Sequence, residues 1–267
     1  MRPSLADRLV VYLHGTPGAP EELAALVPRP RLDGLELVGL ERHNLPSDLS
    51  GQDFIQAVAR RLAGLAGDRP IHLVGFSMGG CIALRVAALG SLPIARMDLI
   101  APAGPLELGD PAQMAGGALF RMAARRPSQF RLITGIQALA ARFAPQLIYR
   151  ALFSTAQASD QAIAADPGFQ SILTEILRGG FGPGYVRDML TYVEDWGPGL
   201  AEVRCPTHIW QGDRDNWVPP ALAEATGRAL PNLVTHYRLP EQSHYGALKT
   251  ALPRILEQVR EEVWEDA

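Results

Sequence analysis

Residues 71–88 read Ile71-His72-Leu73-Val74-Gly75-Phe76-Ser77-Met78-Gly79-Gly80-Cys81-Ile82-Ala83-Leu84-Arg85-Val86-Ala87-Ala88. An apolar run gives way to Gly-x-Ser-x-Gly and then to a helix-like stretch, the order of a strand, a sharp turn and a helix. A serine in such a turn exposes its hydroxyl at the end of a sheet. The glycines keep the turn free of side chains that would clash where the strand and helix backbones approach. Ser77 is therefore a candidate nucleophile. The plainer reading is a Gly/Ser turn, and the rest of the chain decides between the two.

On both sides of this unit, strand and helix patterns alternate. Leu9–Leu13 is a short buried-strand pattern ending at His14-Gly15. Pro20–Leu26 reads as a short helix whose proline and acids suit its first turn. Leu35–Leu40 is a strand, and Ser50-Gly51-Gln52-Asp53 resembles a capping box opening a helix to about Ala66. Phe54, Ile55, Val58, Leu62 and Leu65 recur there at helical spacing. Ile94–Ile100, Thr207–Gly212 and Val234–Leu239 are further strands, with helices over Pro219–Leu230 and Tyr245–Trp264. The pattern predicts an α/β fold, a mostly parallel sheet with helices on both faces.

Between Leu106 and Trp196 the strand pattern stops. Helical segments punctuated by Pro127, Pro145 and Pro167 predict a helical cap, or lid, over residues 106–196, inserted before the last two strands. Residues 1–105 and 197–267 then form the core domain. Phe120, Met122, Phe130, Phe143, Leu147, Tyr149, Phe153, Phe169 and Tyr185 are expected mostly in the core of the cap.

The 267 residues are 47% hydrophobic, enough for a sizeable core, and the net charge of −3 with no basic run speaks against nucleic acid as a partner. No stretch has the ~20 apolar residues of a membrane helix. The N-terminus lacks signal-peptide character, so a cytoplasmic protein is expected, with a small molecule as its partner and the oligomeric state open. Cys81 and Cys205 fall in different layers, so no disulfide is expected. With no Cys/His cluster, no metal site is expected.

A serine hydroxyl needs a base, usually a histidine oriented by a buried carboxylate. Gln211-Gly212-Asp213-Arg214-Asp215-Asn216-Trp217-Val218-Pro219 follows one late strand, and Pro240-Glu241-Gln242-Ser243-His244-Tyr245 the next. Asp215 and His244 are the candidates, with Asp213 as a turn residue. An oxyanion needs fixed N–H donors, and Met78 and Thr16 offer them. His14, Gly15 and Trp217 are candidate pocket residues, His14 more as a brace of the loop than as a base. His72, His208 and His236 read as structural histidines, His43 as an exposed loop residue, and Glu107 and Asp110 as helix-start acids.

His14-Gly15-x-Pro17-Gly18, Gly75-x-Ser77-x-Gly79-Gly80, Gly212-x-x-Asp215-x-x-Val218-Pro219 and Ser243-His244 span nearly the whole chain. Together they resemble the α/β-hydrolase superfamily, in particular its capped esterase, haloperoxidase and C–C-hydrolase branch. The resemblance implies Ser77 as nucleophile, His244 as base, Asp215 as its partner and a lid between two sheet strands. These residues read as a cofactor-free serine esterase, and the abundant apolar residues of the cap suggest a small to medium, partly hydrophobic ester. A perhydrolase, a C–C or amide hydrolase, or a non-catalytic binding module are the alternatives. Two departures stand out. About eight residues precede the first strand, where the family has a hairpin. Glu41-Arg42-His43-Asn44-Leu45-Pro46-Ser47-Asp48 replaces a glycine-rich turn, which suggests a more polar pocket rim.

Overall fold

The computed structural model describes residues 9–26 and 35–265, with side chains as far as Glu261. The eight residues before the first strand, on which the expected loss of a hairpin rests, lie outside that range, as do Asp266 and Ala267. Strands β1 (Leu9–Leu13), β2 (Glu36–Gly39), β3 (Ile71–Phe76), β4 (Ile94–Ile100), β5 (Thr207–Gly212) and β6 (Leu233–Leu239) form one sheet in the order β2-β1-β3-β4-β5-β6. Every pairing is parallel. β1 and β3 are buried along their whole length, as the continuous apolar runs require of central strands covered on both faces. The edge strands β2 and β6 carry most of the partly exposed positions.

Helices α1 (Glu22–Leu26), α2 (Gly51–Ala66), α3 (Met78–Ala88), α10 (Pro220–Ala229) and α11 (His244–Glu265) cover the sheet. In α2 the apolar spacing turns Phe54, Ile55, Val58 and Leu62 into the core, each fully buried. Its expected capping box does not form, since the Ser50 side chain makes no capping bond. The chain enters α2 through Gly51 at φ 49°, and the Ser50 carbonyl accepts from Asp53 and Phe54 instead. Among the described residues no helix is long and apolar enough to cross a membrane.

β4 and β5 are joined by helices α4 (Gly117–Arg125), α5 (Pro127–Phe143), α6 (Pro145–Leu152), α7 (Ala158–Ala164), α8 (Pro167–Gly179) and α9 (Pro183–Tyr192). Four of them begin on proline, whose fixed φ and missing N–H cost least at the first helical position. Phe130, Tyr149, Phe153, Phe169 and Tyr185 are buried, but Phe143 and Leu147 are not, at 77% and 63% exposure. Phe143 continues the outer stripe of α5, Leu132, Ile136 and Leu139, while Phe130 and Ala141 face inward. Apolar character alone does not say which face of a helix is covered. The two ends of this helical segment are clipped together, because Glu107 accepts a 2.6 Å hydrogen bond from the Gly197 amide. Glu107 is thus a cross-link, whereas Asp110 caps its own short turn at the Ala112 amide.

The order of strand addition reverses between β1 and β3, since β2 lies on one side of β1 and β3 to β6 lie on the other. α/β sheets open a crevice beyond the carboxyl ends of the strands at such a switch point. The loops after β1, β3, β5 and β6 all emerge on that edge.

Candidate active site

Ser77 links β3 to α3 with φ 53° and ψ −121°, a strained backbone for a non-glycine residue. Its amide donates to the Ile100 carbonyl and its carbonyl accepts from Gly80 and Ala103, which hold the turn against the end of β4. The glycines have a steric role. A Cβ on Gly79 would strike the Leu13 carbonyl oxygen of β1, and one on Gly75 would come within 2.8 Å of the Gly79 oxygen. The turn can therefore press against the sheet and leave Ser77 facing outward, part-exposed.

The loops after β5 and β6 are laced together by the Asp213 and Arg214 amides, which donate to Leu239 and Gln242. This brings Asp215 and His244 into contact, with Asp215 Oδ2 2.8 Å from His244 Nδ1 and both residues buried. Asp215 Oδ1 accepts from the Trp217 and Val218 amides at 2.8 and 2.9 Å. The carboxylate is fixed at both oxygens, so it receives the Nδ1 proton and leaves Nε2 unprotonated in the neutral ring. The imidazole lies between the Phe76 ring, 4.8 Å away, and Trp217, stacked at 5.2 Å. No Ser77–His244 hydrogen bond is formed among the described residues, and such bonds commonly tighten only when substrate arrives. Asp213 turns away to the exposed Arg238.

Burial opposes charge on His244, but the carboxylates of Asp215, Asp160 and Glu22 outweigh it and raise its pKa above 6.5. Asp160, on α7, was not singled out in the sequence. It is fully buried and accepts from Ser243 Oγ, the His244 amide and the Gly246 amide at 3.1, 3.1 and 2.9 Å. An Asp in a helical stretch carries no local mark of a contact 84 residues away. Glu22, read as a helix-start acid, is also buried, bonded to Tyr12 Oη at 2.6 Å, and pushed by burial up to about 7.

The loop after β1 is held from behind. Fully buried Arg42 donates to the His14 and Gly15 carbonyls, to Thr16 Oγ1 and to Asp188 on α9. Burial opposes the Asp188 charge, but Arg42, with His43 and Arg187, keeps its carboxyl well below the usual range. Stranding either member of such a buried pair costs about 3–5 kcal/mol. His43 is therefore a partly buried partner of Asp188, at 3.2 Å, and not an exposed loop residue. Thr16 and Met78 both border the cavity described next. Neither amide has a backbone acceptor among the described residues.

A cavity of about 390 Å³ lies over Ser77 between the sheet edge and the helical segment. Met114, Leu119, Phe120, Ile148, Phe181 and Met189 supply most of its apolar wall, and no charged side chain lines it. Gln137 is its one carboxamide, and Gln137 Oε1 has no partner among the described residues. Trp217 borders the cavity, whereas His14 and Gly15, expected as pocket residues, do not. Both are buried behind the loop, and burial together with Arg42 pushes the His14 pKa down to about 4. Nor do residues 41–48 form a polar rim, since none of them lines the cavity, and Arg42 is buried against the back of the loop. His72 is structural, bonded to buried Asp98 at 2.7 Å, and His208 stacks on Tyr237, while His236 Nε2 finds no hydrogen-bond partner among the described residues.

A family model described as "Alpha/beta hydrolase family" matches residues 10–251. No curated protein matches the chain. Among solved structures, the bromoperoxidase from Bacillus anthracis is 19% identical, with a TM-score of 0.70 over 95% of this chain and 90% of that one. A thermophilic esterase from Thermogutta terrifontis, malate bound, is 20% identical, with a TM-score of 0.66 over 97% and 90%. MenH from S. aureus is 18% identical, with a TM-score of 0.64 over 97% and 94%. At these identities the likeness is one of fold.

Proposed function

The chain belongs to the alpha/beta hydrolase family, and on that premise we propose that it hydrolyses a neutral, largely apolar carboxylic ester through an acyl-enzyme on Ser77. The observation that carries this reading is the buried Asp215–His244 pair together with a backbone-strained serine that borders an uncharged cavity. Residues 106–196 act as the cap that shapes the acyl pocket. Ser77 Oγ attacks the ester carbonyl carbon while His244 Nε2 takes its proton. The oxyanion is held by the Thr16 and Met78 amides, each such donor contributing ~10²–10³ in turnover. The tetrahedral carbon then expels the alcohol, which leaves with the proton from His244. A water deprotonated by His244 releases the acid and restores Ser77.

A cavity without a cation has nothing to neutralise a second, non-reacting carboxylate, and burying such a charge unpaired is costly. p-Nitrophenyl butyrate should therefore be turned over at least ~10-fold more efficiently than the p-nitrophenyl hemisuccinate of similar length. The reverse order would sink the neutral-ester reading. Peroxide-driven bromination in acetate outpacing ester hydrolysis would move the activity to the perhydrolase class.

The base must be neutral, and its raised pKa means that kcat/KM falls as the pH drops through a value above 6.5. Asp160→Asn removes one of the carboxylates that favour the imidazolium, so the acid limb of the profile should move to lower pH. A purely structural defect would lower the plateau and leave the limb where it was.

A further inference from the structure

The polar turn Glu41-Arg42-His43 converges on the buried His14, and we propose that His14, Glu41 and His43 form a divalent-cation site behind the loop that carries Thr16. Their ligand atoms lie within 4.8 Å of one another. Glu41 Oε1 stands 3.7 Å from His14 Nε2 and 3.8 Å from His43 Nδ1. Two ligands ~2.1 Å from one tetrahedral ion are ~3.4 Å apart, so the two Glu41 separations need to close by only a few tenths of an ångström, and the two imidazoles, within 4.8 Å, by more.

The outer contacts fix which nitrogens face inward. His14 Nδ1 is 2.7 Å from the Gly15 carbonyl, an acceptor that requires the proton on Nδ1. His14 Nε2 is then a lone pair, fully buried and with no hydrogen-bond partner among the described residues, aimed at a carboxylate. His43 Nε2 faces Asp188 Oδ2 at 3.2 Å, which likewise turns the His43 Nδ1 lone pair toward Glu41. Lone pairs on three groups thus face one another, while each imidazole is oriented by an oxygen acceptor on its far side, the arrangement that supports metal-bound histidines. Glu41 Oε1 is itself steadied by the His43 amide at 2.7 Å. Two imidazoles and one carboxylate suit a borderline ion such as Zn²⁺ or Co²⁺ better than Ca²⁺ or Mg²⁺. The Glu41 and His43 side chains are 33% and 19% exposed, which leaves an entry path and room for a water ligand. An ion there would cross-link the loops after β1 and β2. The site is independent of the ester-hydrolase reading.

The test is calorimetric titration of the chelator-stripped full chain with ZnCl₂, beside Glu41→Gln and His43→Asn. Both substituted side chains are partly exposed, and circular dichroism checks that the variants fold. The unmodified chain should bind one equivalent more than either variant, or bind that equivalent at least ~10²-fold more tightly. Zn²⁺ should raise its melting temperature and leave those of the variants unmoved. Equal stoichiometry and affinity in all three chains would overturn the site, as would a melting temperature that Zn²⁺ does not change.

Discussion

Ser77→Ala is expected to lower kcat for p-nitrophenyl butyrate by about 10⁴–10⁶, to a residue set by binding and the oxyanion donors alone. The loss should be confined to the chemistry. The strain at Ser77, φ 53°, belongs to the backbone, and alanine meets it equally. The turn is held by the Ser77 amide and carbonyl, which alanine retains. The thermal midpoint should therefore stay within a few degrees of the unmodified chain. Labelling by a serine-reactive phosphonate should disappear together with turnover. A variant that still hydrolyses the ester at the original rate would place the chemistry on another group, and one that melts far lower would make Ser77 a structural residue of the turn.

The sheet was legible because its signals are local. β-branched, apolar runs bounded by glycine and proline place β1, β4 and β5 at their structural limits, while β3 runs two residues past its apolar stretch into the Gly75-Phe76 turn. The parallel arrangement follows from alternation, since crossing back to a parallel neighbour requires an intervening element. The capping box at Ser50 failed at the same scale: the chain enters α2 through Gly51 at φ 49°, and the Ser50 side chain makes no capping bond.

The surroundings of the site were less legible because they are made by contacts across the chain. Asp160 reaches His244 from α7, and Asp188 reaches Thr16 and Arg42 from α9, at separations of 84, 172 and 146 residues. No spacing within either helix announces those partners. The outward stripe on α5 was missed for a related reason, since amphipathic periodicity gives a direction only once the neighbouring element is known. His14 shows both limits. Its motif placed it beside the oxyanion loop, but only the fold shows that it is closed off from the cavity and turned toward Glu41.

Asp215→Asn should lower kcat by about 10⁴ with little change in KM, although the side chain keeps its shape. The reason lies in the two amides that fix the carboxylate. Trp217 and Val218 donate to Oδ1 at 2.8 and 2.9 Å, so an asparagine at this position must place its carbonyl oxygen there. Its NH₂ then faces His244 Nδ1, which has to accept where it formerly donated. The imidazole is driven into the Nε2–H tautomer, and the nitrogen beside Ser77 can no longer take a proton. Asp213→Asn is the matched control two residues away. It removes only a pairing with the exposed Arg238, and turnover should change less than about twofold. Steady-state kinetics of the two variants side by side separate the assignments. Equal losses, or a greater loss at Asp213, would move the carboxylate of the triad away from Asp215.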